Sequence, residues 1–313
     1  MRHGGANTQE GQPPPLCAGL NKDATGRCAT TRPCTGLYPT DDLQAAIDAA
    51  APGATLTLCP GTWALTSGIR ITQNLTLVGA GAGQTVLDGG GNPIRVLQIA
   101  PGASVTVQDL TIAKGVSTAG FEGGGIYNEG TLRLLGVTVT GNKSEFAGGI
   151  YNNGTLTLAA GSRVSDNTAD FEGGGIYNDG TVTLEGGSNV SGNAAGSSGG
   201  GIYISSGLAT LKDGSLVSGN TTGSEGGGIY NFNGILTLAA GSRVSGNTAS
   251  FAGGGISNLG SVTLEGGSRV SGNTAGSFGG GTYNDGGVVT LVDSNSVTGN
   301  SPDNCEPDIS TCT

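Results

Sequence analysis

Six of the seven tyrosines in this chain, Tyr127, Tyr151, Tyr177, Tyr203, Tyr230 and Tyr283, stand inside a recurring motif of the form GGGIYN. Aromatic rings repeated at one place form a column, which can offer a platform to sugar rings or stack on itself and pin the register of the copies. Carboxylates recur beside them. Glu122 and Glu172 occupy one place two copies apart, and Glu129 and Asp179 share another. At strand spacing each pair lies about 9.5 Å apart, the upper limit for an inverting glycosidase. The same acids also read as solvated charges on a glycine-rich surface.

Other chemistry is thin. His3 is the only histidine, which argues against Ser/His/Asp and Cys/His nucleophile systems. A lyase needs a basic residue beside acidic calcium ligands, and the candidates Arg133 and Lys143 stand alone in the sequence. Two polar columns accompany the tyrosines. Asn142, Asn167, Asn193, Asn220, Asn247, Asn273 and Asn300 can bond one another as an amide ladder. Thr157, Thr183, Thr210, Thr237, Thr263 and Thr290 form an outward row, partly doubled by Thr155 and Thr181. Regular threonines on a flat β face follow the logic of ice-binding solenoids, but the doubling fails at Leu208, Ile235 and Val288, and threonine also simply suits an exposed strand.

These columns require a repeating scaffold. The residue after the glycines is Ile126, Ile150, Ile176, Ile202, Ile229, Ile256 and Thr282, with steps of 24, 26, 26, 27, 27 and 26. A fixed period in this range marks a stacked repeat. The cleanest copy has three alternating runs, Gly149–Asn152, Thr155–Leu158 and Arg163–Ser165. Period-two alternation reads as three strands per coil, with Asn153-Gly154 and Ala159–Ser162 as turns. It places Ile150, Leu156, Leu158 and Val164 inside and Tyr151, Thr155, Thr157, Arg163 and Ser165 outside. Asn152 reads as the start of a turn.

Identical strands one period apart pair in parallel, and such connections are right-handed in the great majority of sheets. The predicted fold is therefore all-β: a single-stranded, right-handed parallel β-helix of about ten coils, roughly 45 to 50 Å long. One coil cannot repay its own ordering entropy, so the ends need covers. A short capping helix is expected over 41–51, with an acidic first turn from Asp41 and Asp42 and a stop at Pro52-Gly53. The organisation reads as a Cys/Pro-rich segment 1–39, a β-helix 40–300 with regular repeats over 121–300, and a tail 301–313.

The formal charge of −10, without basic stripes, disfavours nucleic acid and anionic membranes as partners. No run is long and apolar enough to cross a bilayer, and the opening residues lack the apolar core of a signal peptide. Cys17, Cys28, Cys34 and Cys59 lie before the repeats and Cys305 and Cys312 after them. An even count at the two ends suggests disulfides and an extracellular or cell-surface setting. Cys305 and Cys312 are expected to close a small loop, while pairings among the first four stay open. No CxxC spacing occurs, so neither a metal nor another cofactor is expected.

The segment from Asp42 (DLQAAIDAAAPGATLTLCPGTW), the run ITQNLTLVGAG and the later repeats resemble the right-handed parallel β-helix of the pectate-lyase-like superfamily. GGGI at Gly123–Ile126 and VSGN at Val190–Asn193 also resemble the GGAI and FxxN repeats of polymorphic outer-membrane adhesins, with Val in place of Phe. The resemblance spans about residues 40–300 and implies the fold, but its members include lyases, hydrolases and adhesins. Those adhesins carry a C-terminal membrane barrel, whereas this chain ends after a short Cys-bearing tail. The Asp-rich and Gly-His-Gly motifs of polygalacturonase-like members are absent, and the repeats leave no room for loops that would wall a cleft.

These residues weigh against an enzyme and point to a non-catalytic surface rod for adhesion, glycan contact or structure, with the six tyrosines as its binding column. The alternatives are a lyase or hydrolase of acidic polysaccharide using Glu122, Glu129, Glu172 or Asp179, a subunit that self-associates end to end, and an ice-binding solenoid.

Overall fold

A computed structural model describes residues 34–118, 122–292 and 296–307. His3, Cys17, Cys28 and Cys312 lie outside the described residues. The chain divides into two compact units, Met1–Thr35 and Gly36–Thr313, and the second is a parallel β-solenoid.

Three sheets of ten strands run the length of this solenoid, with every strand-to-strand pairing parallel. They are named here for their outward residues. The tyrosine sheet contains Ile150–Asn152 and its equivalents, the threonine sheet Thr155–Leu158, and the serine sheet Arg163–Ser165. Registers follow the repeat residue by residue: Ile150 pairs with Ile176, Leu156 with Val182, and Val164 with Val190. The side chains assigned to the interior, Ile150, Leu156, Leu158 and Val164, are fully buried. Each such side chain contributes about 1.5–3 kcal/mol of burial relative to exposure.

The regular coils hold a fourth strand that alternation did not predict. Pairs such as Lys143–Ser144, Thr168–Ala169 and Ala194–Ala195 form a six-stranded short sheet. Two residues cannot display a period, so nothing in the local pattern separates such a strand from a turn. The β-structure also enters the tail, where Cys305–Glu306 pairs with the strand holding Thr282 and Tyr283.

The corners explain the motif. Asn142, Asn167, Asn193, Asn220, Asn247 and Asn273 are buried, and in each step Oδ1 accepts from the backbone N–H and the Nδ2 of the asparagine one coil earlier. The residue before each is left-handed: Gly192 has φ +66°, and Asp166 takes the same conformation at +57°. In the glycine run, a Cβ on Gly175 would lie 2.6 Å from the carbonyl oxygen of Gly201 in the next coil, so no side chain fits there.

The N-terminal end is covered by a helix, Leu43–Ala49, shorter than predicted. Asp42 is its cap, accepting from the Ala45 N–H, so Asp41 and Asp42 precede the first turn rather than forming it. Leu43 and Ile47 point into the core. The Gln44 amide donates to the Arg70 carbonyl and accepts from the Arg70 N–H, satisfying backbone at the first edge of the tyrosine sheet.

Candidate functional site

The outer face of the tyrosine sheet brings the predicted binding residues together. Tyr127, Tyr151, Tyr177, Tyr203 and Tyr230 pair in strict register, and their ring centroids are 5.3, 5.0, 4.7 and 5.2 Å apart with interplanar angles of 10–22°. Coplanar rings cannot approach so closely, so the rings overlap as offset tiles. Much of each aromatic face is therefore taken by its neighbour. The surface presents ring edges and a row of hydroxyls more than open faces. Ser257 interrupts the stack, and Tyr283, beyond it, stacks instead with Phe278.

The four predicted acids flank this stack on its two sides. Glu122 and Glu172 precede the glycine run, and Glu129 and Asp179 follow the strand. Tyr151 donates its hydroxyl to Asp179 Oδ2 at 2.5 Å, and Gln98 donates to Glu129 Oε2 at 3.4 Å. Two further acids complete the rows: Glu225 in the place of Glu122 and Glu172, and Asp285 in that of Glu129 and Asp179. Glu225 accepts from the Ser257 hydroxyl at 2.9 Å. Both were readable from the repeat, once aligned on Ile229 and Thr282.

Burial and these neighbours reshape the titration of the face. Burial pushes the Glu172 carboxyl above the ordinary glutamate range, and its Oε2 is buried without a hydrogen-bond partner. Burial likewise raises Glu225, against the opposing effect of Ser257. Tyr151 is raised by burial and then by the Asp179 contact, and Tyr230 is pushed up to about 12 by burial with help from Glu225 and Asp285. At pH 7 the tyrosines are neutral donors between two rows of acids.

One cation enters the column. The Arg95 guanidinium lies 4.4 Å from the centroid of the Tyr127 ring and donates to the carbonyls of Glu122 and Gly123. Upstream, Arg70 and Gln98 hold the tyrosine place in the first two coils.

Elsewhere the lyase-like bases are engaged. Arg133 pairs with Glu185 at 3.0 Å, because Glu185 lies two coils along the same sheet, and Lys143 pairs with Asp170 at 3.1 Å. The sequence could not show this, since each partner is a coil or two away. The outward threonines pair in a continuous row, while Leu208, Ile235 and Val288 break its second line and are 46, 50 and 60% exposed.

A buried second asparagine column was missed. Asn128 donates to Asn152, which donates to Asn178; Asn231 donates to Asn258, which donates to Asn284, with Ile204 between the two runs. Asn beside Gly reads as turn chemistry, but here its side chain points inward and its amide also reaches carbonyls, as Asn152 does to Gly154 and Thr181.

Among the described residues no cluster of His, Cys, Asp or Glu could hold a metal ion, and no helix is long and apolar enough to cross a membrane. Cys34, Cys59 and Cys305 are disulfide-bonded. The class defined is a parallel β-solenoid with a stacked tyrosine face. No protein-family model, curated protein or solved structure matches the chain.

Proposed function

We propose that this chain is a non-catalytic extracellular or cell-surface β-helix whose tyrosine face contacts surface polymers, glycans among them. The observation that carries the reading is the five-ring stack, whose coils from Tyr151 onward carry only short connections. From Asn152 to Thr282 no connection between strands exceeds six residues, so no loop rises to exclude water from a substrate. A row of tyrosine hydroxyls and ring edges makes repeated weak contacts, which suits adhesion to a repeating polymer through avidity. The disulfides favour an oxidising compartment. The likeness of the repeats to those of outer-membrane adhesins and to the pectate-lyase-like superfamily supports the same setting.

Binding to glycan arrays and isolated cell-wall polysaccharides tests this. The Tyr151→Ala, Tyr177→Ala, Tyr203→Ala triple variant is expected to lose binding while keeping its β-rich spectrum. Unchanged binding would remove the tyrosine face from the function.

One observation favours a second reading. Glu172, raised by burial with its Oε2 unpartnered, and Asp179 lie on opposite sides of Tyr177, and an acid of raised pKa with a second carboxyl group is the residue pair that glycoside hydrolysis uses. Release of reducing ends or unsaturated products that disappears in Glu172→Gln would establish it. The acids on both sides of the face disfavour an acidic polysaccharide as its ligand.

A further inference from the structure

The inference concerns the partner of the tyrosine face and rests on the reading of that face as a contact surface. Glu122, Glu172 and Glu225 recur at every second coil on one side, and Glu129 and Asp179 do so on the other. With ring centroids 4.7–5.3 Å apart per coil, the acids recur at about 10 Å. The tyrosines between them are neutral, so the face is a negative strip with a row of phenol hydroxyls along its middle.

The chain itself holds a cation at the open end of the ring stack. At its N-terminal end a guanidinium lies over Tyr127, held by backbone carbonyls of Glu122 and Gly123. Among the described residues no cation takes the equivalent place at Tyr151, Tyr177, Tyr203 or Tyr230, whose charged neighbours are acids. Each inner strand of this sheet is already paired on both sides, so a partner cannot add as a β-strand along the face.

We propose that the face from Tyr151 to Tyr230 docks a cationic, proline-rich peptide in the polyproline II conformation, with Arg or Lys at every third residue. That helix has three residues per turn and a rise of about 3.1 Å per residue, so its cations recur at about 9 Å, matching acids on alternate coils. Its backbone needs no ladder partner, and aromatic strips are its usual docking surface. Each cation lies between the acid rows, paired with their carboxylates beside the row of tyrosine hydroxyls.

The test titrates the whole protein with synthetic Arg-Pro-Pro repeats, with Arg-Pro repeats of equal total charge, and with deacetylated chitin. Binding of the period-three peptide is expected to be about ten-fold tighter than that of the period-two peptide, a difference of about 1.4 kcal/mol. It should weaken at least as much in the Glu172→Gln, Asp179→Asn double variant, which keeps the ring stack, and remain in Glu265→Gln on another face. Equal affinity for both peptides, indifference to the double variant, or tighter binding of the aminosugar polymer would overturn the proposal. If no peptide binds while neutral glycans still do, this inference falls and the contact-surface reading stands. If neither binds, both fall.

Discussion

At the scale of single residues, the amides are the exacting parts. Asn220 Oδ1 accepts from both the N–H and the Nδ2 of Asn193, and its own Nδ2 donates to the Val190 carbonyl. Asn220→Ala orphans buried donors in a fully buried corner, and should lower stability by roughly 2–4 kcal/mol in urea unfolding. Asn178→Ile is the informative contrast. Ile204 already fills the same place one coil on, so the inner ladder tolerates an apolar member, and the expected loss is about 1 kcal/mol or less. Equal losses would show that the two columns do not differ in kind. Glu172 carries the pH dependence. Its folded form holds a proton more tightly than the ordinary value of 4.5, so the stability linked to it is full below that value and lost as pH rises through the raised folded one. Glu172→Gln should therefore flatten the stability profile just above pH 4.5 and raise the urea midpoint at neutral pH. Glu225 titrates in the same direction and should leave a residual slope. A Glu172→Gln profile parallel to the parent would sink the assignment.

At the scale of the strand and corner, legibility follows the length of the pattern. The three long sheets were readable because three or four alternating residues, repeated coil after coil, fix both face and register. The short sheet was not, for Lys143–Ser144 is too brief to alternate. Nor was the tiling of the rings, which depends on how each side chain leans. The tyrosine column and its acids were visible as positions; that the rings cover one another, and that Phe146 stands edge-on to Tyr177 in the acid row, came only with geometry. The corner before the asparagine column makes a prediction of its own. Gly141, Gly192, Gly219, Gly246, Gly272 and Gly299 all sit at φ between +63° and +66°, and Asp166 alone carries a side chain there. Asp166→Gly should stabilise the protein by up to about 1 kcal/mol, measured as a rise in Tm, because a left-handed non-glycine residue is strained. A fall in Tm would mean that the Asp166 side chain offsets that strain.

For the solenoid unit as a whole, the same register implies that its unit of construction is the coil. Ile150, Ile176 and Ile202 pair in sequence, as do Leu156, Val182 and Ala209 beside them. Excising residues 176–201 joins Gly175 to Ile202, so every strand of the coil before the cut meets an equivalent strand of the coil after it. Core aliphatics stay buried, the outer asparagine ladder passes from Asn167 to Asn220, and the tyrosine stack shortens by one ring. Such a protein should fold, with a cooperative transition whose urea m value is smaller by about a tenth, since m scales with the surface exposed on unfolding. Excising only residues 176–188 removes the tyrosine and threonine strands but keeps the serine strand. Gly175 would then run into Asn189, and no strand downstream could meet its like without a break in the coil. That variant should expose hydrophobic surface and lose its cooperative transition. Circular dichroism and urea unfolding of the two deletions decide the matter. If the half-coil deletion proved as stable as the whole-coil one, the stacked register would not be what holds this fold together.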